Sequence, residues 1–253
     1  MSLGWRFAAT ARSAAGPVRA HNEDAFALRP DLGLWLVADG MGGLVRGERA
    51  SRLLAEAALQ LPAGLPPREV ESMMVRAIEA VHERLLGEAI GFGPSGSTVA
   101  VLLVKPPGWR VLWAGDSRIG LVRGNDLAWL TTDHNLAAEL VRSGRMDDWN
   151  ARRHPLASRL TRAVGVDEEL VLDRAAGRLV EGDLFLLCSD GLTGELNDAE
   201  IRDVLLAETE LERAADRLLA LAVEERQARD NVTFVLVRVQ RQRQGEGSEG
   251  DER

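Results

Sequence analysis

The sequence predicts an α+β fold in which stacked antiparallel β-sheets carry helices on their outer faces. Short segments rich in Val, Leu and Trp recur between Gly- and Pro-rich turns such as Lys105-Pro106-Pro107-Gly108, the pattern of many short strands. These segments come in adjacent blocks rather than in strict alternation with helices, which argues against a parallel doubly wound sheet. The helical stripes are few and fall between or after the blocks, so helices pack outside sheets that pair among themselves.

In order, strands are expected near Trp5–Ala11, Asp24–Leu28 and Leu34–Asp39. From Glu48, Ala50, Leu53, Leu54, Ala57, Ala58 and Leu61 recur at helical spacing, and a second stripe runs through Val70, Met73, Met74, Ala77, Ile78, Val81 and Leu85. The two methionines read as core filler. Strands follow near Thr98–Val104, Arg110–Gly115 and Ile119–Arg123, with Arg123-Gly124-Asn125-Asp126 as a hairpin turn. Residues 131 to 162 are polar, Arg-rich and helical only around Leu136–Val141, which reads as a surface flap. Further strands are expected near Glu169–Ala175, Asp183–Ser189 and Val232–Val239. Between the last two, Asn197 with Glu200 makes a capping-box start for a helix carrying Ile201, Val204 and Leu205. Another helix follows through Leu211, Ala215, Leu218 and Leu221.

A chain of 253 residues, 45% hydrophobic and 28% charged, has the makings of an ordinary globule with a sizeable core, here read as one domain over residues 1–239. A net charge of -8 disfavours nucleic acid and anionic membranes as partners. The single cysteine, Cys188, excludes an internal disulfide framework and a cysteine-based zinc cluster. The N-terminus lacks a signal-peptide core, and no apolar run approaches the roughly 20 residues that cross a bilayer. The expectation is a cytoplasmic monomer with a disordered tail over 240–253.

The chemistry lies in carboxylates. Three apolar strands each run into an acid at a small-residue turn, at Asp39-Gly40, Asp116-Ser117 and Asp190-Gly191, and Asp230 directly precedes a fourth strand. A charged acid at the end of a buried strand is costly unless something offsets it. Each of these acids alone is readable as a turn former. Together they point to one shared partner, and oxygen-only ligands suit a hard divalent cation. In Asp39-Gly40-Met41-Gly42-Gly43 the glycines let the backbone approach a ligand, and the Gly40 carbonyl is itself a suitable ligand.

Read in order, Arg19-x-x-Asn-Glu-Asp24, Asp39-Gly-Met-Gly-Gly, Gly96-Ser-Thr, Gly115-Asp-Ser-Arg, Leu160-Thr-Arg-Ala-Val-Gly, Ser189-Asp-Gly-Leu and Asp230-Asn-Val-Thr resemble the metal-dependent protein phosphatases, the type 2C serine/threonine phosphatases, in their bacterial branch. The resemblance runs from about Gly16 to Val239. It implies a four-layer α-β-β-α sandwich with two Mn²⁺ or Mg²⁺ ions at one edge, and a metal-activated water that attacks the phosphate of phosphoserine or phosphothreonine directly. It further implies that Asp39 bridges the ions, that the Gly40 carbonyl binds one, and that Asp190 and Asp230 complete the other. By the same resemblance Glu23 would act through water, with Asp24 nearby, and Arg19 would hold the substrate phosphate. Asp116 resembles a ligand of a third, weaker ion shared with Asp190, and Ser158 sits where some bacterial relatives add a ligand to it. The implied partners are phosphorylated proteins and a cognate Ser/Thr kinase. The stretch Gly33–Gly40 also looks like phosphatases that accompany type VI secretion kinases.

The chain departs from the family at Met41, where some relatives carry His, and at Leu44-Val45-Arg46-Gly47, where many bacterial relatives read His-x-x-Gly. His21, His134 and His154 lie in polar segments as candidates for proton transfer or for purely structural roles. A metal-free scaffolding protein and a phosphatase of small phosphate esters are the rival readings. The intact acid set argues against the first, and only a comparison of substrates separates the second.

Overall fold

The computed structural model describes residues 4–41 and 47–241. Two five-stranded sheets, antiparallel throughout, stack face to face with helices on both outer surfaces. The first strand, β1 (Trp5–Ala14), pairs with the last, β10 (Val232–Arg241), and the sheet continues β9 (Leu184–Cys188), β6 (Arg118–Arg123), β7 (Asp126–Trp129). The second sheet runs β2 (Asp24–Arg29), β3 (Leu34–Asp39), β4 (Val99–Lys105), β5 (Gly108–Ala114), β8 (Asp173–Arg178).

The layering explains why the central strands read as unbroken apolar runs. Alternate side chains of one strand point to opposite faces, and both faces of these strands are covered. On β3, Trp35 and Val37 face the other sheet, while Leu34, Leu36 and Ala38 face α1 (Gly47–Leu59) and α2 (Pro67–Phe92). On β9, Phe185 and Leu187 point between the sheets. Leu184, Leu186 and Cys188 point toward α5 (Asp190–Thr193), α6 (Asp198–Ala207) and α7 (Leu211–Ala220). Three apolar layers result, one between the sheets and one under each helical face.

Several expectations shift by a few residues. Strand β8 begins at Asp173 rather than near residue 169, because its partner β5 fixes the pairing from Trp113↔Asp173 onward. Leu170 and Leu172 instead pack against the core beneath α1 and α2. Helix α2 continues to Phe92, beyond the apolar stripe, and its last turns are exposed at Ile90 and Phe92. The turn at Gly124, φ +61°, closes a hairpin whose second arm is β7. The tail boundary moves outward, since Gln240 and Arg241 belong to β10 and pair with Arg6 and Trp5. The rest of the expected tail, 242–253, lies outside the described residues, as do Gly42 to Arg46 with most of the Met41-to-Gly47 departure.

The segment from Thr131 to Arg162 carries α3 (Leu136–Arg142), capped by Asn135, and a short α4 (Asp148–Arg152), capped by Asp147. It is tied to the sheet beneath through Arg118, whose guanidinium meets both Asp133 (2.7 Å) and Asp148 (2.9 Å). Arg118 and Arg152 both lie over the Trp129 ring, each 5.5 Å from its centre.

Candidate metal centre

Strand register alone brings the acids together. In the second sheet Asp24 pairs with Asp39, and the Thr98 amide donates to the Asp39 carbonyl (2.9 Å), extending the same row into β4. In the first sheet Cys188 pairs with both Arg118 and Phe234. Two residues further along these antiparallel strands, that register sets Asp190 level with Asp116 on one side and with the start of β10, just after Asp230, on the other. The chain passes from one sheet to the other through Gly115-Asp116-Ser117, between β5 and β6. One end of the sandwich therefore collects acids from both sheets.

A set of hydroxyls and amides holds these acids in place. The Asp39 amide donates to Thr98 Oγ1 (3.0 Å), Ser97 Oγ donates to the Asp39 carbonyl (2.8 Å), and Thr98 Oγ1 shares a hydrogen bond with Ser117 Oγ (2.7 Å). Gly115, φ +107°, has no room for a side chain, because an added Cβ would lie 2.6 Å from Thr98 Cβ. Ser189 Oγ donates to Asp24 Oδ2 (2.8 Å) and accepts from the Thr233 amide (3.0 Å), joining the two sheets. Asn231 accepts from the Glu23 amide (2.8 Å) and donates to the carbonyls of Ala15 and His21. It thereby fixes the loop that carries Arg19 and Glu23. Gly40 donates its amide to the Glu23 carbonyl (3.1 Å), and an added Cβ would meet the Gly47 backbone at 2.4 Å.

The electrostatics are those of an unneutralised anion cluster. Burial first, then the charges of Asp24, Asp190, Asp116 and Asp230, push the Asp39 carboxyl well above the usual carboxylate range. Asp116 moves the same way, through burial and the charges of Asp190 and Asp133. Burial raises Asp24 to about 7, against a hydrogen bond from Ser189 that favours its charged form. Asp190 rises to about 6 through burial and Asp230, while a hydrogen bond with Asp39 holds it down. Such shifts mark charged forms lacking a partner.

The donor set fits a hard cation. Asp24 Oδ1 and Asp190 Oδ1 are buried acceptors without a hydrogen-bond partner, a costly state that a cation relieves. Asp39 and Asp190 nevertheless keep part of their surface open to solvent. Among the described residues no three acid, imidazole or thiolate side chains already close around a single point. Asp190 and Asp39 already share a hydrogen bond, and drawing further acids around one point requires positive charge to offset their repulsion.

The other expected site residues divide between this cluster and its surroundings. Arg19 reaches it, with Nη2 2.6 Å from Asp230 Oδ2 and with Glu23 and Asp190 adding to the field that holds its charge. Asp116 belongs to it and accepts from Asn135 Nδ2 (3.3 Å). Ser158 is exposed and donates to the Pro155 carbonyl (3.0 Å), within the flap. His134 is structural: Nδ1 accepts from the Gly115 amide (3.2 Å), so Nε2 carries the proton and meets Asp173 (3.1 Å), and the ring stacks on Trp113. Burial holds its imidazole below the usual value. His154 Nδ1 accepts from the Leu156 amide, and the exposed His21 contributes its carbonyl to Asn231. Sequence reasoning missed Ser189, Asn231 and Thr98, although each stands inside a motif that drew attention for its acid or glycine.

A two-sheet sandwich with an acid cluster at one edge of both sheets defines the architecture of metal-dependent phosphatases. Residues 18–232 match the family model described as Protein phosphatase 2C, and the chain belongs to that family. It is 33% identical to the serine/threonine phosphatase stp of Listeria welshimeri, over 89% of this chain and 93% of that protein. Among solved structures it superposes on PppA, a key regulatory component of the T6SS in Pseudomonas aeruginosa, with a TM-score of 0.83 and 37% identity, covering 92% of this chain and 97% of that one. The catalytic domain of the phosphatase PstP, solved with two manganese ions, gives a TM-score of 0.83 and 30% identity over 94% of this chain and 100% of that one.

Proposed function

We propose that this protein is a metal-dependent phosphoserine/phosphothreonine protein phosphatase. The observation that carries the reading is the convergence of Asp39, Asp190, Asp116 and Asp230, charges that repel one another at one edge of two sheets. Asp39, the Gly40 carbonyl, Asp190 and Asp230 would hold two divalent cations, Mn²⁺ or Mg²⁺, with Glu23 and Asp24 beside them. Asp116, with Asp190, would serve a third and weaker ion, with Ser158 of the flap as an added ligand. When bound, the ions offset the carboxylate charge and supply a nucleophilic water at neutral pH.

The chain's own residues do the rest. Arg19, half-exposed and held by one nitrogen at Asp230, has among the described residues no other side-chain partner, which leaves the remainder of its fork to take two phosphate oxygens. Asn231 keeps the Arg19 loop in register with the start of β10, so phosphate and acids share one frame. Cys188 takes no part. Burial pushes its thiol up to about 12, and a thiol of that kind is no nucleophile near neutrality.

The phosphoprotein substrates would be those of a bacterial Ser/Thr kinase. The likeness to PppA supports a link to type VI secretion. The reading extends to a monomer acting in the cytoplasm, to be checked by light scattering on the purified protein and by cell fractionation. Among the described residues no helix is long and apolar enough to cross a membrane.

The test is hydrolysis of a phosphothreonine peptide in EDTA, Mg²⁺ or Mn²⁺. Activity is expected only with added metal and only in protein that retains Asp39. Full activity in Asp39→Asn, or in EDTA, refutes the mechanism.

A further inference from the structure

A cleft of about 650 Å³ is lined by flap residues between Arg145 and Pro155 and by Arg229, the residue that precedes Asp230. Its charge runs against that of the molecule. The chain carries -8 overall, yet the cleft presents Arg145, Arg153, Arg229 and His154 against a single acid, Asp147. That acid is already committed, since its two oxygens cap α4 through the Asn150 amide (2.9 Å) and side chain (2.6 Å).

The cations are not committed to acids in the same way. Among the described residues the Arg145 guanidinium has no partner, and Arg153 lies over the Trp149 ring (5.2 Å), a contact that leaves its N–H edge free. Arg229 gives Nε to Glu195 (3.0 Å) and keeps its terminal nitrogens. A second cleft along the flap, of about 380 Å³, contains Arg118 and Arg142, but there Asp133 and Asp148 neutralise Arg118, leaving one arginine where the larger cleft offers three. Arg229 is next in sequence to Asp230, which holds Arg19, so the open cleft adjoins the place where the scissile phosphate would sit.

We infer that this cleft is a second anion subsite, which takes an acidic side chain or a second phosphoryl group of the same polypeptide substrate through Arg145, Arg153 and Arg229. The inference rests on the phosphatase reading and adds a sequence preference to it. Guanidinium groups suit carboxylate and phosphoryl oxygens alike, and partly exposed charge pairs chiefly set specificity and encounter.

The experiment uses phosphothreonine peptides whose flanks, on either side, are neutral Ser, Asp, or a non-hydrolysable phosphonate analogue of phosphoserine. With Mn²⁺ present, wild type is expected to favour an anionic flank over the neutral one by roughly three- to tenfold in kcat/KM, chiefly through KM, as two or three exposed pairs would give. The comparison of Asp with phosphonate flanks tells which source of negative charge the cleft prefers. In Arg145→Glu/Arg153→Glu the preference should fall to about one or reverse, and ~0.5 M salt should erode it in wild type. Equal rates on neutral and anionic peptides in wild type, or a preference that survives the double substitution, overturn the subsite while leaving the phosphatase reading intact. Inactivity of folded wild type on every peptide with every metal overturns the phosphatase reading, and the subsite with it.

Discussion

Asp190→Asn should make the metal-free protein more stable and the metal-loaded protein inactive, and the size of the gain follows from the structure. Burial and the neighbouring Asp230 raise the Asp190 carboxyl from its usual 3.8 to about 6. The folded state therefore holds this proton more tightly than the unfolded chain. Its contribution is fully present below about pH 4 and is lost as pH rises through about 6, so that at pH 8 folding imposes an unfavourable charge. At about 1.4 kcal/mol for each tenfold change in proton affinity, the penalty approaches ~3 kcal/mol, and screening at the partly open face of the carboxyl trims it to ~2. An amide removes the charge, keeps the shape, and can still hydrogen-bond Asp39. In EDTA at pH 8 the variant should melt about 4–8 °C above wild type, at 2–4 °C per kcal/mol for a chain of this size. At pH 4 the two should nearly coincide. Added Mn²⁺ should reverse the order, since a cation at a hundred times its Kd contributes about 2.7 kcal/mol to the protein that binds it. Calorimetric melts at the two pH values, with and without Mn²⁺, make the check. A variant that melts at or below wild type in EDTA at pH 8, or a gap that does not change with pH, refutes the reasoning.

Three further outcomes follow from the same geometry. Gly191→Ala should unfold or markedly destabilise the protein in a thermal melt, because the new Cβ would sit 2.0 Å from the Asn231 carbonyl oxygen and only backbone movement relieves it. Arg118→Met leaves the largely buried Asp133 without its cation, while Asp148 keeps Arg152, which should cost about 3–5 kcal/mol and speed proteolytic cleavage between Thr131 and Arg162 relative to the rest of the chain. Cys188, fully buried with its thiol pushed up to about 12, should not react with a thiol-specific chromogenic reagent at pH 8 until denaturant is added.

The sequence made the strands legible wherever both faces are buried, because covered strands such as Leu34–Asp39 and Leu184–Cys188 must be apolar throughout. Strand β8 was harder to place, since its exposed face carries Arg174 and Arg178 and its bounds come from pairing with β5 rather than from its own pattern. Helix α4 is too short for periodicity to register, and only its Asp147 cap marks it. The acids were readable for a different reason. Their cost at a strand end shows in the sequence before any partner is known, whereas the groups that position them are uncharged and commonplace. Nothing in Ser-Asp-Gly-Leu announces that the Ser189 hydroxyl donates to an acid on the opposite sheet, because that contact joins residues 165 positions apart.

That contact and its counterpart around Thr98 show how a site shared by two sheets keeps one geometry. Asp24 and Asp39 belong to one sheet, Asp190 and Asp230 flank strands of the other, and only an apolar layer lies between the two over most of their area. Apolar packing is dense but has little directional preference, so it does not by itself fix the offset of one sheet over the other to the precision that cation ligands demand. At the site edge, directional bonds take over. Ser189 ties β9 and β10 to Asp24, while Thr98 ties Asp39 to Ser117, at the point where the chain crosses between sheets beside Asp116. Ser189 bonds to both sheets and Thr98 bonds one sheet to the crossing between them, so a relative slide of the sheets strains these hydrogen bonds as it moves the acids. The mutual repulsion of the acids acts within that frame, and a cation has only to draw in side chains whose backbones are already fixed.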